Sequence, residues 1–147
     1  MNVAVKSAML VVLAATWCLG SAAGGDQSVT DLKAKAESAK VADQPKLFLE
    51  IARRQLEATE KAYAAGDTQQ AEALLKDVST FAEKAGGAAT KSGKQLKHIE
   101  IEVRKMSRRL SDTERALTVE ERPPVQDAID KLEHVRTEML TAMFSKN

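Results

Sequence analysis

Residues 67–117 read DTQQAEALLKDVSTFAEKAGGAATKSGKQLKHIEIEVRKMSRRLSDTERAL, and the spacing of small and apolar residues within them decides the fold. Alternating steps of three and four from Ala71 land on Leu75, Val78, Ala82, Ala85, Ala89, Ser92, Leu96, Ile99, Val103, Met106, Leu110, Thr113 and Leu117. That period holds one stripe of a supercoiled helix against a packed partner for about seven heptads. It predicts one long helix over residues 68–118. Gly66 can end the preceding helix at positive φ, and Asp67 followed by Gln70 makes a capping-box-like start for the next. Gly86, Gly87 and Gly93 each cost about 1 kcal/mol relative to alanine in a helix interior. The count nevertheless passes through all three without slipping, so a helix continuous or kinked through Gly86 and Gly87 is expected, with a break near Gly86 as the rival.

Outward from this stretch, three further helices are predicted. Val29, Leu32, Ala36 and Ala39 recur at helical spacing behind a Ser28/Asp31 cap signature, which places a short helix over about 30–41. Asp43-Gln44-Pro45 is a turn with proline at a first helical position, opening a helix over 45–65. Its apolar residues, from Phe48 to Tyr63, fill one arc of about 160°, and its charges, from Lys46 to Lys61, fill the other. Pro123-Pro124 then ends a connector and starts a helix over 124–144 with the stripe Val125, Ala128, Ile129, Leu132, Val135, Met139, Leu140, Met143 and Phe144. The fold class is all-α: an elongated antiparallel bundle of about four helices built on the long one.

The segment Ala62-Tyr63-Ala64-Ala65-Gly66-Asp67, followed by Ala71, Leu74, Leu75 and Val78, resembles the middle of a tetratricopeptide repeat over about residues 56–78. The resemblance implies an αα-hairpin. Gln55, Ala58 and Thr59 fill the positions where that family carries its Trp and Leu-Gly, and no second copy recurs, so the peptide-binding groove of stacked repeats is not implied.

The first 23 residues differ in kind. Lys6, an uncharged run from Ala8 to Leu19 and the small residues Ser21-Ala22-Ala23 fit a secretory signal peptide, too short in its apolar part to span a membrane. Trp17 before Cys18 argues against lipidation, and cleavage near Ala23 would remove the chain's one cysteine and one tryptophan. The expected product is a single helical domain from about Gly24, periplasmic or secreted, without disulfide or thiol chemistry.

No reaction is legible. Lys91-Ser92-Gly93-Lys94-Gln95 lacks the glycine spacing and the Ser or Thr of a phosphate-binding loop. His98 and His134 each have a carboxylate one turn away, Glu102 and Asp130, but they lie off the apolar stripes and no Glu-x-x-His pattern accompanies them. No cofactor, metal or catalytic residue is therefore assigned. Lys94, Lys97, Arg104, Lys105, Arg108 and Arg109 form the one basic concentration. The reading expected for it is pairing with Asp127, Asp130, Glu133 and Glu138 of the last helix; the alternative is contact with an anionic partner. The absence of interleaved aromatics argues against nucleic acid, and a membrane surface is the weaker candidate partner.

Helix lengths carry one more expectation. The long helix would span roughly 75 Å and the Pro45 and Pro124 helices about 30 Å each, leaving the second half of the long helix covered on one side only. Ile101, Ile129, Leu140, Met143 and Phe144 are accordingly expected at a protein-partner or self-association contact. The functional expectation is an exported, non-catalytic interaction or adaptor module of the cell envelope; the alternative is a periplasmic holdase for apolar client segments.

Overall fold

The computed structural model describes residues 23–145, with side-chain surroundings from Val29 onward. Residues 1–22, which carry the signal-peptide reading, lie outside them. Five helices and no strand are present among the described residues: α1 (Ala23–Ser38), α2 (Gln44–Ala64), α3 (Thr68–Ser92), α4 (Leu96–Ala116) and α5 (Arg122–Phe144). The all-α bundle expected from the sequence is what forms.

The α2–α3 turn follows the expected chemistry. Gly66 sits at φ 75°, its N–H donates to the Tyr63 carbonyl at 3.0 Å, and the Asp67 N–H donates to the Ala62 carbonyl at 2.9 Å. This pair of bonds closes a helix end through a left-handed residue, which glycine adopts without a Cβ penalty. Asp67 then opens α3 by accepting the Gln70 N–H at 3.1 Å.

The long helix of 68–118 is not one rod. It runs through Gly86 and Gly87 as expected but stops at Ser92; Gly93 (φ 65°) and Gln95 (φ 64°) are both left-handed, and α4 leaves in the opposite direction. The Gln95 amide fixes this turn to the α1–α2 connection by donating to the Ala42 carbonyl at 3.1 Å. The three-four count survives the break because a turn of three residues returns the chain in phase: Ala89 before it and Leu96 after it both face one shared core. With α3 at 25 residues, the longest rod is roughly 37 Å instead of 75 Å.

Two antiparallel hairpins, α2–α3 and α4–α5, pack side by side. Phe48 and Phe81 approach to 6.2 Å between ring centroids and Gln55 reaches Asp77 at 2.7 Å, which sets the first pair. Thr68 bonds Glu121 near the starts of α3 and α5, and Gly86 faces Val135 farther along, so these two helices run parallel. Glu60 meets Arg109 in the same sense between α2 and α4. Helix α1 ends at Ser38, before the expected 41, and docks on the α2–α3 pair through Lys33, whose ammonium lies 3.0 Å from Asp77 and 5.0 Å from the Phe81 ring centroid. The core is aliphatic: Ile51, Leu56, Val78, Ile99, Val103, Leu110, Val125, Leu132 and Met139 are all fully buried.

This packing also corrects the coverage argument. Folding back at Gly93 lets α3 cover α5, so Ile129 is a core residue at 8 % exposure. It does not belong to a contact surface.

Candidate interaction surface

The inner face of α4 is Leu96, Ile99, Val103, Met106 and Leu110. One flank meets α5 through a polar network. The buried Glu100 carboxylate accepts from Arg136 Nε at 2.7 Å, Arg136 also donates to Glu133 at 2.7 Å, and Ser107 donates to the other Glu133 oxygen at 2.7 Å. Hydrogen bonding to Glu100 raises the Arg136 pKa above its ordinary value and keeps the guanidinium charged. The other flank meets α2, where Arg109 forks onto both oxygens of Glu60 at 3.0 and 2.6 Å, the bidentate geometry of the strongest ion pairs.

Between these flanks, Lys97, Ile101, Arg104 and Arg108 follow one another at steps of four, three and four and so share one outward stripe. Lys97 and Arg108 are exposed; Ile101 and Arg104 are half-buried. No carboxylate among the described residues lies within 4.0 Å of the Lys97, Arg104 or Arg108 charge. Lys105, beside the stripe, is held by Glu102 at 2.6 Å, a bond that lowers the Glu102 pKa.

The acids expected to neutralise this segment are engaged elsewhere. On α5 itself, Asp127 pairs with Lys131 at 2.9 Å, Asp130 accepts from Gln126, Glu133 holds Arg136, and Glu138 lies 3.4 Å from His134. Among the described residues, the one ion pair joining α4 to α5 has the opposite polarity, with the acid on α4 and the cation on α5. Of the six basic residues singled out in the sequence, Arg109 and Lys105 are committed to internal partners, while Lys97, Arg104 and Arg108 form the outward stripe. Lys94 sits exposed in the preceding turn.

The apolar candidates separate too. Met143 packs against the core edge, Leu140 is half-buried, and Phe144 is 74 % exposed at the end of α5. The Glu100–Arg136 network was not foreseen. Its one sequence signal is an acid bordering the apolar arc of α4, four residues after Leu96 and three before Val103.

Among the described residues no three of His, Cys, Asp and Glu converge as a metal site would require, and no helix is long and apolar enough to cross a membrane. No family model, no curated protein and no solved structure matches the chain.

Proposed function

We propose that this chain is an exported interaction module of the cell envelope, acting through contact rather than chemistry, and that the α4 stripe is where it meets an acidic protein partner. The observation that carries the reading is the unneutralised row Lys97, Arg104 and Arg108 around the half-buried Ile101. Cations at fixed helical intervals steer an acidic partner and set its register, while a partly exposed apolar side chain among them supplies burial. The alternative, a holdase, needs broad apolar surface, and the exposed large apolar residues among those described are Val41, Val119 and Phe144. That scarcity favours the adaptor.

The test is a photo-crosslinking residue at Ile101 in cells producing the protein. A discrete adduct is expected, and Arg104→Glu with Arg108→Glu should abolish it without changing the circular dichroism spectrum. An adduct indifferent to both reversals would refute the stripe. Suppression of aggregation of an unfolded model client at stoichiometric amounts would favour the holdase, and an exported protein still beginning at Met1 would end the signal-peptide reading.

A further inference from the structure

The chain's formal net charge is only +1, yet its charges are sorted along the bundle axis. At the end where α1 stops, α2 and α4 start and α3 stops, residues 35–46 and 91–97 hold six lysines against Glu37 and Asp43. The opposite end, residues 64–72 and 112–122, holds six acids against Arg115 and Arg122. The Gln95–Ala42 hydrogen bond ties the two lysine-bearing turns together.

Of the three exposed large apolar side chains among the described residues, Val41 and Phe144 lie at the lysine-bearing end and Val119 at the acidic one. Val41, 45 % exposed, lies in the α1–α2 connection. Phe144 belongs to the same end: α5 runs parallel to α3 with Val135 facing Gly86, so Thr141 is level with Ser92, where α3 ends, and Phe144 lies just past the Ser92–Gly93 turn. Beside Val41, an open groove of about 530 Å³ runs between α1 and α2, with Lys35, Lys40 and Lys46 along it and Asp43 its one acid.

We propose that this lysine-bearing end docks on an anionic lipid bilayer, with Phe144 and Val41 entering the headgroup region. Lysines grouped around protruding apolar residues suit an anionic interface, since the ammonium groups stay in water among lipid phosphates while the apolar side chains go deeper. The acidic far end adds a torque that sets this end toward the surface. A second copy offering its acidic end is a poorer occupant: a four-helix end roughly 20 Å across presents roughly 400 Å², against about 800 Å² per partner in stable complexes. Lys97 belongs to both this end and the α4 stripe, but Arg104 and Arg108 lie farther down the helix side and take no part here.

Each lysine near an anionic surface strengthens partitioning by roughly fivefold. Four net charges thus predict an anionic preference on the order of several hundredfold at low salt. Sedimentation of the full chain with vesicles of phosphatidylcholine, alone or partly replaced by phosphatidylglycerol, measures it. Any leader contributes equally to every variant. Neutralising Lys40, Lys91 and Lys94 together to Gln should cost about a hundredfold on the anionic vesicles, while Arg115→Gln with Arg122→Gln at the far end should not weaken binding. With Trp17→Phe as background, Phe144→Trp should shift its emission to the blue on anionic vesicles and Val119→Trp should not. Equal partitioning onto both vesicle types, a triple variant that binds like the parent, matching shifts at 144 and 119, or salt-sensitive self-association without vesicle binding would each overturn the proposal.

Discussion

Gly86 and Gly87 are neighbours in one helix and should answer the same substitution with opposite signs. Both lie within α3, so alanine at either removes backbone freedom from the unfolded chain, a gain of about 0.5–1 kcal/mol. At Gly87 nothing among the described residues lies within 4 Å of an added Cβ, and the gain should appear whole. At Gly86 the new Cβ would stand 2.6 Å from Val135 Cγ1 and 3.7 Å from Met139 Sδ. A valine in a helix has essentially one rotamer and cannot swing aside, so α3 and α5 must separate at the cost of overpacking, about 1–3 kcal/mol. The net at Gly86 is a loss of up to about 2 kcal/mol, several degrees of melting temperature for a domain of this size, whereas Gly87→Ala should raise it by a few degrees. Thermal and urea unfolding of both variants measure the split. Val135→Ala supplies the cross-check, because its cavity should accept the Gly86→Ala methyl and the pair should be favourably coupled by about 1 kcal/mol or more. If Gly86→Ala stabilises as much as Gly87→Ala, the close α3–α5 approach is wrong, and with it the parallel packing of the two hairpins.

Other perturbations follow from single contacts. Among the described residues nothing pairs with the buried Tyr63 hydroxyl, and burial, then Glu72 and Glu121, raises its pKa; Tyr63→Phe should therefore stabilise by roughly 0.5–1.5 kcal/mol in denaturant titration. Arg136→Met strands the Glu100 carboxylate at 6 % exposure and should cost about 3–5 kcal/mol, most of it recovered when Glu100→Met is added. Hydrogen bonds from the Thr118 N–H and hydroxyl and from Thr68 lower the Glu121 pKa, so its contribution is complete above the ordinary 4.5 and lost as pH falls through the depressed value. Acid unfolding below that pH should accordingly flatten in Glu121→Gln, and an unchanged pH profile would contradict the assignment.

What the sequence disclosed and what it concealed divide along one physical line. Periodicity reports which side of each helix faces inward, and Ala71 to Leu110 do face inward. It does not report what lies inside, because a stripe packed on a distant partner helix and a stripe packed on its own returning chain leave the same pattern. Gly66 announced its turn through a Gly-Asp pair followed by a cap, signals that need only local chemistry. Gly93 had no such company: the turn there is completed by a left-handed Gln95, whose side chain bonds the carbonyl of Ala42, 53 residues away. A residue that pays conformational strain for a tertiary hydrogen bond cannot be recognised from its neighbours.

The charged surface obeys the same limit in a stricter form. That α4 is basic can be counted, but whether those charges are spent depends on rotation about the helix axis, and a turn of 100° exchanges one flank for another. Arg109 differs from Arg108 by one such step and lands on Glu60, while Arg108 faces outward. Glu100 differs from Ile101 by the same step and becomes the buried acid that draws Arg136 across from α5. The acids of α5 then satisfy their own helix, as i,i+3 and i,i+4 spacing allows, and are withdrawn from the pairing that simple charge balance suggests. A chain nearly neutral in total is left with a cationic stripe on α4 and a lysine-bearing end, two surfaces whose existence rests on geometry that no count of lysines and glutamates contains.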